Sequence, residues 1–253
     1  MLSKPYYEKT GIKIYNTDCL PAMKEMPDNA FDLAIVDPPY GIGIGTVVGG
    51  SKPFGKKSEN RRGKVICPKT YRGFDDFRIP DAEYFKELLR VSRNQVIWGG
   101  SYFIEHLKNT PCFIVWDKDN SGNFADCELA WTSFDTATRK FWFRWNGMLQ
   151  ENMKNKEIRI HPTQKPVALY KWLLTNYAKP GDTILDTHFG SGSIAIACYD
   201  FEFELTAYEI DKEYIEAAIN RIKRHMQQGN LFLLESKEKR QVHPEKEKKG
   251  FFE

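Results

Sequence analysis

No stretch of this chain stays apolar over the roughly 20 residues that a membrane-crossing helix needs, and no charged leader with an apolar core opens it. Its five cysteines (Cys19, Cys67, Cys112, Cys127, Cys198) form no Cys-x-x-Cys pair and share no metal-ligand spacing with histidine. An odd, scattered set of this kind reads as reduced thiols. The expectation is a soluble, cytoplasmic protein with no metal site and no disulfide framework. Net charge is small too, at +3, because 37 Lys and Arg nearly balance 34 Asp and Glu. Bulk disorder is excluded by 41% hydrophobic and 14% aromatic residues, ample for a buried core.

What charge there is lies unevenly. Between Gly49 and Gly73 stand five Lys and three Arg against one Glu, a local +7 that leaves −4 for the remainder. A basic patch on a near-neutral body points to a polyanionic partner. The 253 residues suit one α/β domain, here 1–234, with a basic loop insertion at 41–79 and a second irregular loop at 146–160. Residues 235–253, rich in Lys and Glu, read as a charged, disordered tail. Within the insertion, Gly50 to Lys57 comes near a phosphate-binding P-loop and fails. Lys57 stands where Ser or Thr is needed, Pro53 interrupts it, and no strand precedes or helix follows. An arm that grips a nucleic-acid backbone fits better, with Lys52, Lys56, Lys57, Arg61, Arg62, Lys64, Lys69 and Arg72 as candidate contacts. The second loop is a further candidate for the same surface.

The organising stretch is Asp37-Pro38-Pro39-Tyr40, which ends an apolar run, Phe31 to Val36, of buried-strand character. An acid at the carboxyl end of such a strand sits where open α/β sheets place ligands. The prolines offer no N–H and fix φ, so the motif presents acceptors on a rigid frame. Tyr40 adds an aromatic face with a hydroxyl tip. Such a pocket suits a planar amine, whose hydrogens the Asp37 carboxylate and the Pro38 carbonyl can both accept. A turn that merely ends a strand is the plainer reading of four residues alone.

Around that stretch the chain alternates strands and helices. Ile12 to Tyr15 reads as a strand and the residues to about Met26 as a helix, with Asp18 either capping it or facing the crevice beside Asp37. Pro80 to Val91 reads as a helix, Gln95 to Trp98 and Phe113 to Trp116 as strands. Glu128 to Phe134 and Lys140 to Trp145 read as an antiparallel pair whose aromatics belong to sheet core. His161-Pro162-Thr163-Gln164-Lys165-Pro166 leads into a helix with Leu169, Tyr170, Leu173, Leu174 and Tyr177 as its apolar set. Thr183 to Leu185 is a strand closed by Asp186, followed by a Gly190-Ser191-Gly192 loop and an Ala-rich helix. The next strand, Phe203 to Tyr208, ends in Glu209 before a helix over Tyr214 to Arg224. A strand, an acid, a Gly-x-Gly loop, a helix and a second strand-end acid make a nucleoside-cofactor unit.

With both motifs in view, the chain resembles the S-adenosylmethionine-dependent DNA amino-methyltransferases. Asp37 to Tyr40 matches the catalytic tetrapeptide, Asp186 to Ser193 the cofactor loop, and His161 to Pro166 a third block. Their order resembles the β group, and the likeness spans about residues 11 to 226. It implies a Rossmann-like fold: a mostly parallel seven-stranded sheet with one antiparallel strand and helices on both faces. It implies S-adenosyl-L-methionine as cofactor, with Asp18 at its adenine, Cys19 among its contacts and Glu209 at its ribose. Asp186, Phe189, Gly190, Ser191 and Gly192 would belong to its loop, with Gly190, Gly192 and the segment Thr163, Gln164 and Lys165 near its methionine end. Thr187-His188 stands where the family often has Pro-Phe, and Phe189 supplies the aromatic one place later. The implied reaction is methylation of an exocyclic amine on a base flipped from double-stranded DNA. Asp rather than Ser heading the tetrapeptide resembles the adenine-N6 members. Cytosine-N4 is the alternative, and a catalytically silent DNA-binding protein the alternative of another class. A homodimer and a restriction endonuclease partner are left open by the sequence.

Overall fold

The computed structural model describes residues 4–42, 79–120, 125–146 and 149–242, so the candidate backbone contacts from Lys52 to Arg72 lie outside the described residues. The strands are β1 (Tyr7–Lys9), β2 (Ile12–Tyr15), β3 (Phe31–Val36), β4 (Ser92–Trp98), β5 (Phe113–Asp117), β6 (Cys127–Thr132), β7 (Arg139–Trp142), β8 (Trp145–Asn146), β9 (Leu149–Gln150), β10 (Thr183–Asp186) and β11 (Glu204–Tyr208). The helices are α1 (Cys19–Glu25), α2 (Ala82–Val91), α3 (Val167–Tyr177), α4 (Ser193–Asp200) and α5 (Lys212–Val242). Among the described residues nine strands form one sheet in the order β1-β2-β11-β10-β3-β4-β6-β5-β7, and β8 and β9 pair separately. Seven of the nine run parallel, while β1 is reversed against β2, and β6 against both β4 and β5. The sheet therefore has two more strands, and one more reversed strand, than the resemblance implies.

Alternation along the strands builds a layer on each face. Leu33 and Ile35 of β3 join the cluster that holds Leu169 of α3, Ile194 of α4 and Ile215 of α5. Ala34 and Val36 point the other way, among Met23 of α1 and Phe85 and Leu88 of α2. Helices thus cover both faces, which a parallel sheet of near-continuous apolar strands requires. Asp18 accepts from the Leu20 amide and Asp81 from the Tyr84 amide, so α1 and α2 start on carboxylate caps. No described helix is long and apolar enough to cross a membrane.

Two expectations are corrected. The strand after residue 137 does not fold back on β6: β7 lies parallel to β5, on its outer edge. Both edges of β6 are already taken by β4 and β5, and Thr138 ties the crossing chain down by donating to the Pro111 carbonyl and accepting from the Phe113 amide. The tail boundary at 235 falls inside α5, which continues to Val242. Lys and Glu are good helix formers, so the composition that reads as solvated tail also extends a helix.

Candidate active site

Because β2, β11, β10 and β3 run parallel, their carboxyl ends share one rim. Asp37 follows β3, Asp186 ends β10, Glu209 follows β11, and Asp18 stands three residues past β2. A cavity of about 1400 Å³ opens along that rim, its walls including Asp18, Asp37, Tyr40, Lys165, Gly190 and Glu209. The acceptor motif and the glycine loop therefore face one space, as their positions at strand ends demand.

At one end of the cavity Asp37 holds both its oxygens in use. Tyr40 donates its hydroxyl to Oδ1 at 2.5 Å, and the Lys165 ammonium is hydrogen-bonded to Oδ2. Lys165 is only 4% exposed, and its other carboxylate partner is Glu128, at 3.2 Å. Glu128 in turn pairs with Lys118, just past β5. Lys118, Glu128, Lys165 and Asp37 so form a chain of alternating charge, and the Lys165 Nζ also lies 5.3 Å from the Trp98 ring centre. Burial opposes the charge on Lys165, but Asp37 and Glu128 outweigh it and raise its pKa. Burial likewise opposes ionisation of Glu128, and the two lysines outweigh it and lower that pKa. Both therefore stay charged at neutral pH.

The other end is backbone and carboxylate. Glu209 accepts from the Gly190 amide through Oε2 at 2.8 Å and from the Asp211 amide through Oε1 at 2.9 Å. That fixes its carboxylate while each oxygen keeps a second lone pair for a ligand hydroxyl. Burial is the main cause of its raised pKa. Asp186 is 2% exposed and accepts from the His188 amide at 3.0 Å. Burial, reinforced by Asp37 and Glu209, pushes its carboxyl up to about 8. His188 and His161 are both held down to about 4, chiefly by burial, so both rings are neutral at pH 7. The Thr187 hydroxyl is hydrogen-bonded to the Tyr84 hydroxyl at 2.7 Å, which pins the loop to α2.

Most of the residues singled out from sequence reach the cavity, though not all in the expected role. Asp18 does both things its position allows, capping α1 and lining the cavity, with Cys19 beside it as a buried thiol raised to about 12 by burial first of all. Pro38, Pro39, Thr163, Phe189 and Ser191 line it as well. Asp186 and Gly192 are not among its walls: Asp186 lies beneath the loop, and Gly192 packs where a Cβ would come 3.0 Å from Phe189 and 3.1 Å from Ala218. Gln164 reaches the wall but spends its groups on the fold, accepting from the Ile160 amide and, through its carbonyl, from the Trp145 indole. Lys165 lines the cavity as well, with its ammonium engaged by Asp37 and Glu128, a pairing that the sequence did not show. The sequence reading missed Glu128 and Lys118 altogether. An acid inside a buried strand was the available signal, since charged residues are almost never buried unless paired.

Comparison with known proteins gives a partial family match and a shared fold. The model of the DNA methylase family (N6_N4_Mtase) matches residues 108–220. The type II methyltransferase M2.DpnII of Streptococcus pneumoniae is 23% identical over 256 residues, covering 88% of this chain and 93% of that protein. The type II methyltransferase M.HpaI of Haemophilus parainfluenzae is 23% identical over 249 residues, covering 81% and 72% respectively. Among solved structures, the PvuII cytosine-N4-specific DNA methyltransferase superposes with a TM-score of 0.56 at 13% identity, over 88% of this chain and 93% of that one. The M1.HpyAVI–SAM complex gives 0.50 at 22% identity, over 83% and 99%. At these identities both structures speak for the shared fold.

Proposed function

We propose that the chain is an S-adenosylmethionine-dependent DNA amino-methyltransferase, a reading that the family-model match over residues 108–220 supports, and that it methylates the exocyclic N6 of adenine in double-stranded DNA. The observation that carries this reading is the convergence of the Asp37–Tyr40 acceptor set and the Glu209–Gly190 cradle on one cavity. Its volume, about 1400 Å³, exceeds the usual span of single-ligand pockets and suits a nucleoside cofactor with a base beside it.

The residues present fit S-adenosyl-L-methionine. Glu209 offers a fixed carboxylate to vicinal hydroxyls, Gly190 lets a ligand approach the backbone, and Asp18 adds an acceptor at the far edge. When bound, the cofactor supplies an electrophilic methyl group on a sulfonium. The chain's own part is orientation. Tyr40 stacks on the flipped base. Asp37 Oδ1 and the Pro38 carbonyl accept the two amine hydrogens, which turns the nitrogen lone pair out of conjugation. Lys165 holds Oδ2, so the carboxylate cannot rotate Oδ1 away from the amine. Positioning of this kind converts binding into rate without further chemistry from the protein.

The preference for adenine rests on Asp heading the tetrapeptide. The amine of cytosine would meet the same acceptors. Mass spectrometry of nucleosides from unmethylated DNA incubated with the protein and S-adenosyl-L-methionine tests the reading, and sequencing of the product maps the site. N6-methyladenine is the expected result. N4-methylcytosine overturns the base assignment and keeps the mechanism, whereas no methylated nucleoside on several DNAs overturns the reading in favour of a silent DNA-binding protein.

A further inference from the structure

Tyr40 is immobilised more firmly than a stacking wall needs. Its hydroxyl is tied to Asp37, Phe103 meets its ring edge-on at 6.0 Å and 66°, and Gly99 presses so close that a Cβ there would collide with the ring. One further aromatic lies parallel to it. Tyr102 stacks on Tyr40 with ring centres 5.0 Å apart and 12° between planes. It ends a single 3₁₀ turn, Gly100–Tyr102, on the cavity wall, and is 54% exposed. A half-exposed ring on a one-turn segment is the movable member of this pair, and Tyr40 the fixed one.

We propose that Tyr102 is the second wall of the base slot: it rests on the Tyr40 ring and lies over the outer face of the target base when that base enters between them. This rests on the methyltransferase reading above. Bases stack at about 3.4 Å, so admitting one layer needs Tyr102 to withdraw by about that distance, with Tyr40 staying on Asp37. The resting tyrosine pair keeps the Tyr40 face covered, and the bound base exchanges that contact for two. Every base has a π-face, so the slot favours planar heterocycles as a class, while the acceptors behind it select the amine.

The test uses the full-length protein and a duplex carrying 2-aminopurine at the adenine mapped by sequencing. Wild-type protein is expected to give a weak fluorescence rise, because both faces of the flipped analogue are stacked. Tyr102→Leu is expected to give a markedly brighter complex and a DNA KM raised about five- to hundredfold, the range found for loss of one base–aromatic stack. Its kcat at saturating DNA and its cofactor affinity should stay near wild type, and Tyr102→Phe should restore both signals. Unchanged fluorescence and KM in Tyr102→Leu overturn the proposal. A fall in kcat alone also overturns it, because Tyr102 would then only brace Tyr40. A wild-type protein that methylates no DNA removes the underlying reading, and that failure is distinct because it precedes any variant.

Discussion

Replacing Asp37 by Asn tests the charge chain more sharply than its size suggests. Asn is isosteric but carries one acceptor and one donor where the carboxylate carries two acceptors. Lys165 can only donate, and its ammonium is held in place by Glu128 at 3.2 Å as well as by Asp37. The amide must therefore turn its oxygen to Lys165 and its NH2 toward the position that Oδ1 now occupies. There it faces the target amine, donor against donor. Loss of one preoriented polar partner in an active site costs about 10²–10³ in kcat, and that is the expected fall, with cofactor affinity unchanged. The reasoning makes a further demand. With Lys165→Met in the same chain, nothing dictates the orientation of the amide, and its oxygen can return to the amine. The double variant should be about tenfold faster than Asp37→Asn alone, although Lys165→Met by itself is slow and about 3–5 kcal/mol less stable, as expected on removing one partner of a buried pair. Single-turnover rates and denaturant melts of the four proteins complete the cycle. Additive losses, with the double variant slower than either single one, would refute the orientation argument.

Asp186, at about 8, holds a proton in the folded protein that the unfolded chain releases near the ordinary carboxylate pKa of about 3.9. Its folded pKa is raised, so its contribution to stability is lost as pH climbs between those values and is gone above about 8; Asp186→Asn should flatten that decline in thermal melts without cofactor. A cationic ligand favours the ionised form, so cofactor binding at pH 7 should release a proton, read by calorimetry in buffers of different ionisation enthalpy, and Asp186→Asn should abolish the release. Gly99→Ala, at φ +67 and against the Tyr40 ring, should raise the DNA KM while leaving cofactor affinity intact; equal losses in both would mean a general disruption. Gly192→Ala combines φ +70 with contacts of 3.0–3.1 Å, and should cost about 1–2 kcal/mol of stability in denaturant melts.

Local signals carried most of the framework. Phe31–Val36 and Thr183–Leu185 are short apolar runs stopped by an acid, and the chain register alone puts those acids on a common rim. Helix α3 was legible in its buried set, Leu169, Tyr170, Leu173 and Leu174. What escaped was pairing. Nothing within Arg139–Trp142 says that its partner is β5 rather than β6, because the edge it takes is decided by which edges β4 and β5 have already closed. The length of α5 escaped for a different reason: Lys/Glu-rich sequence is equally at home in a helix and in a solvated tail.

The site shows the same division between what lies near in sequence and what only folding brings near. Asp37, Tyr40 and Glu209 announce themselves by neighbours along the chain, but the partner that fixes Asp37 is 128 residues away. Lys165 sits in the third block, expected near the cofactor's methionine end, and only the fold shows that its ammonium meets Asp37. Its companions explain why a lysine is tolerated there. Lys118, Glu128, Lys165 and Asp37 carry two charges of each sign, so the chain sums to zero and no net charge is buried. A neutral heterocycle can then enter beside Asp37 without disturbing the balance, whereas an approaching charged group would have to be paid for in desolvation. On the proposed reading an uncharged amine is met by Oδ1, which keeps a second lone pair beside the Tyr40 hydroxyl, because Lys165 takes Oδ2.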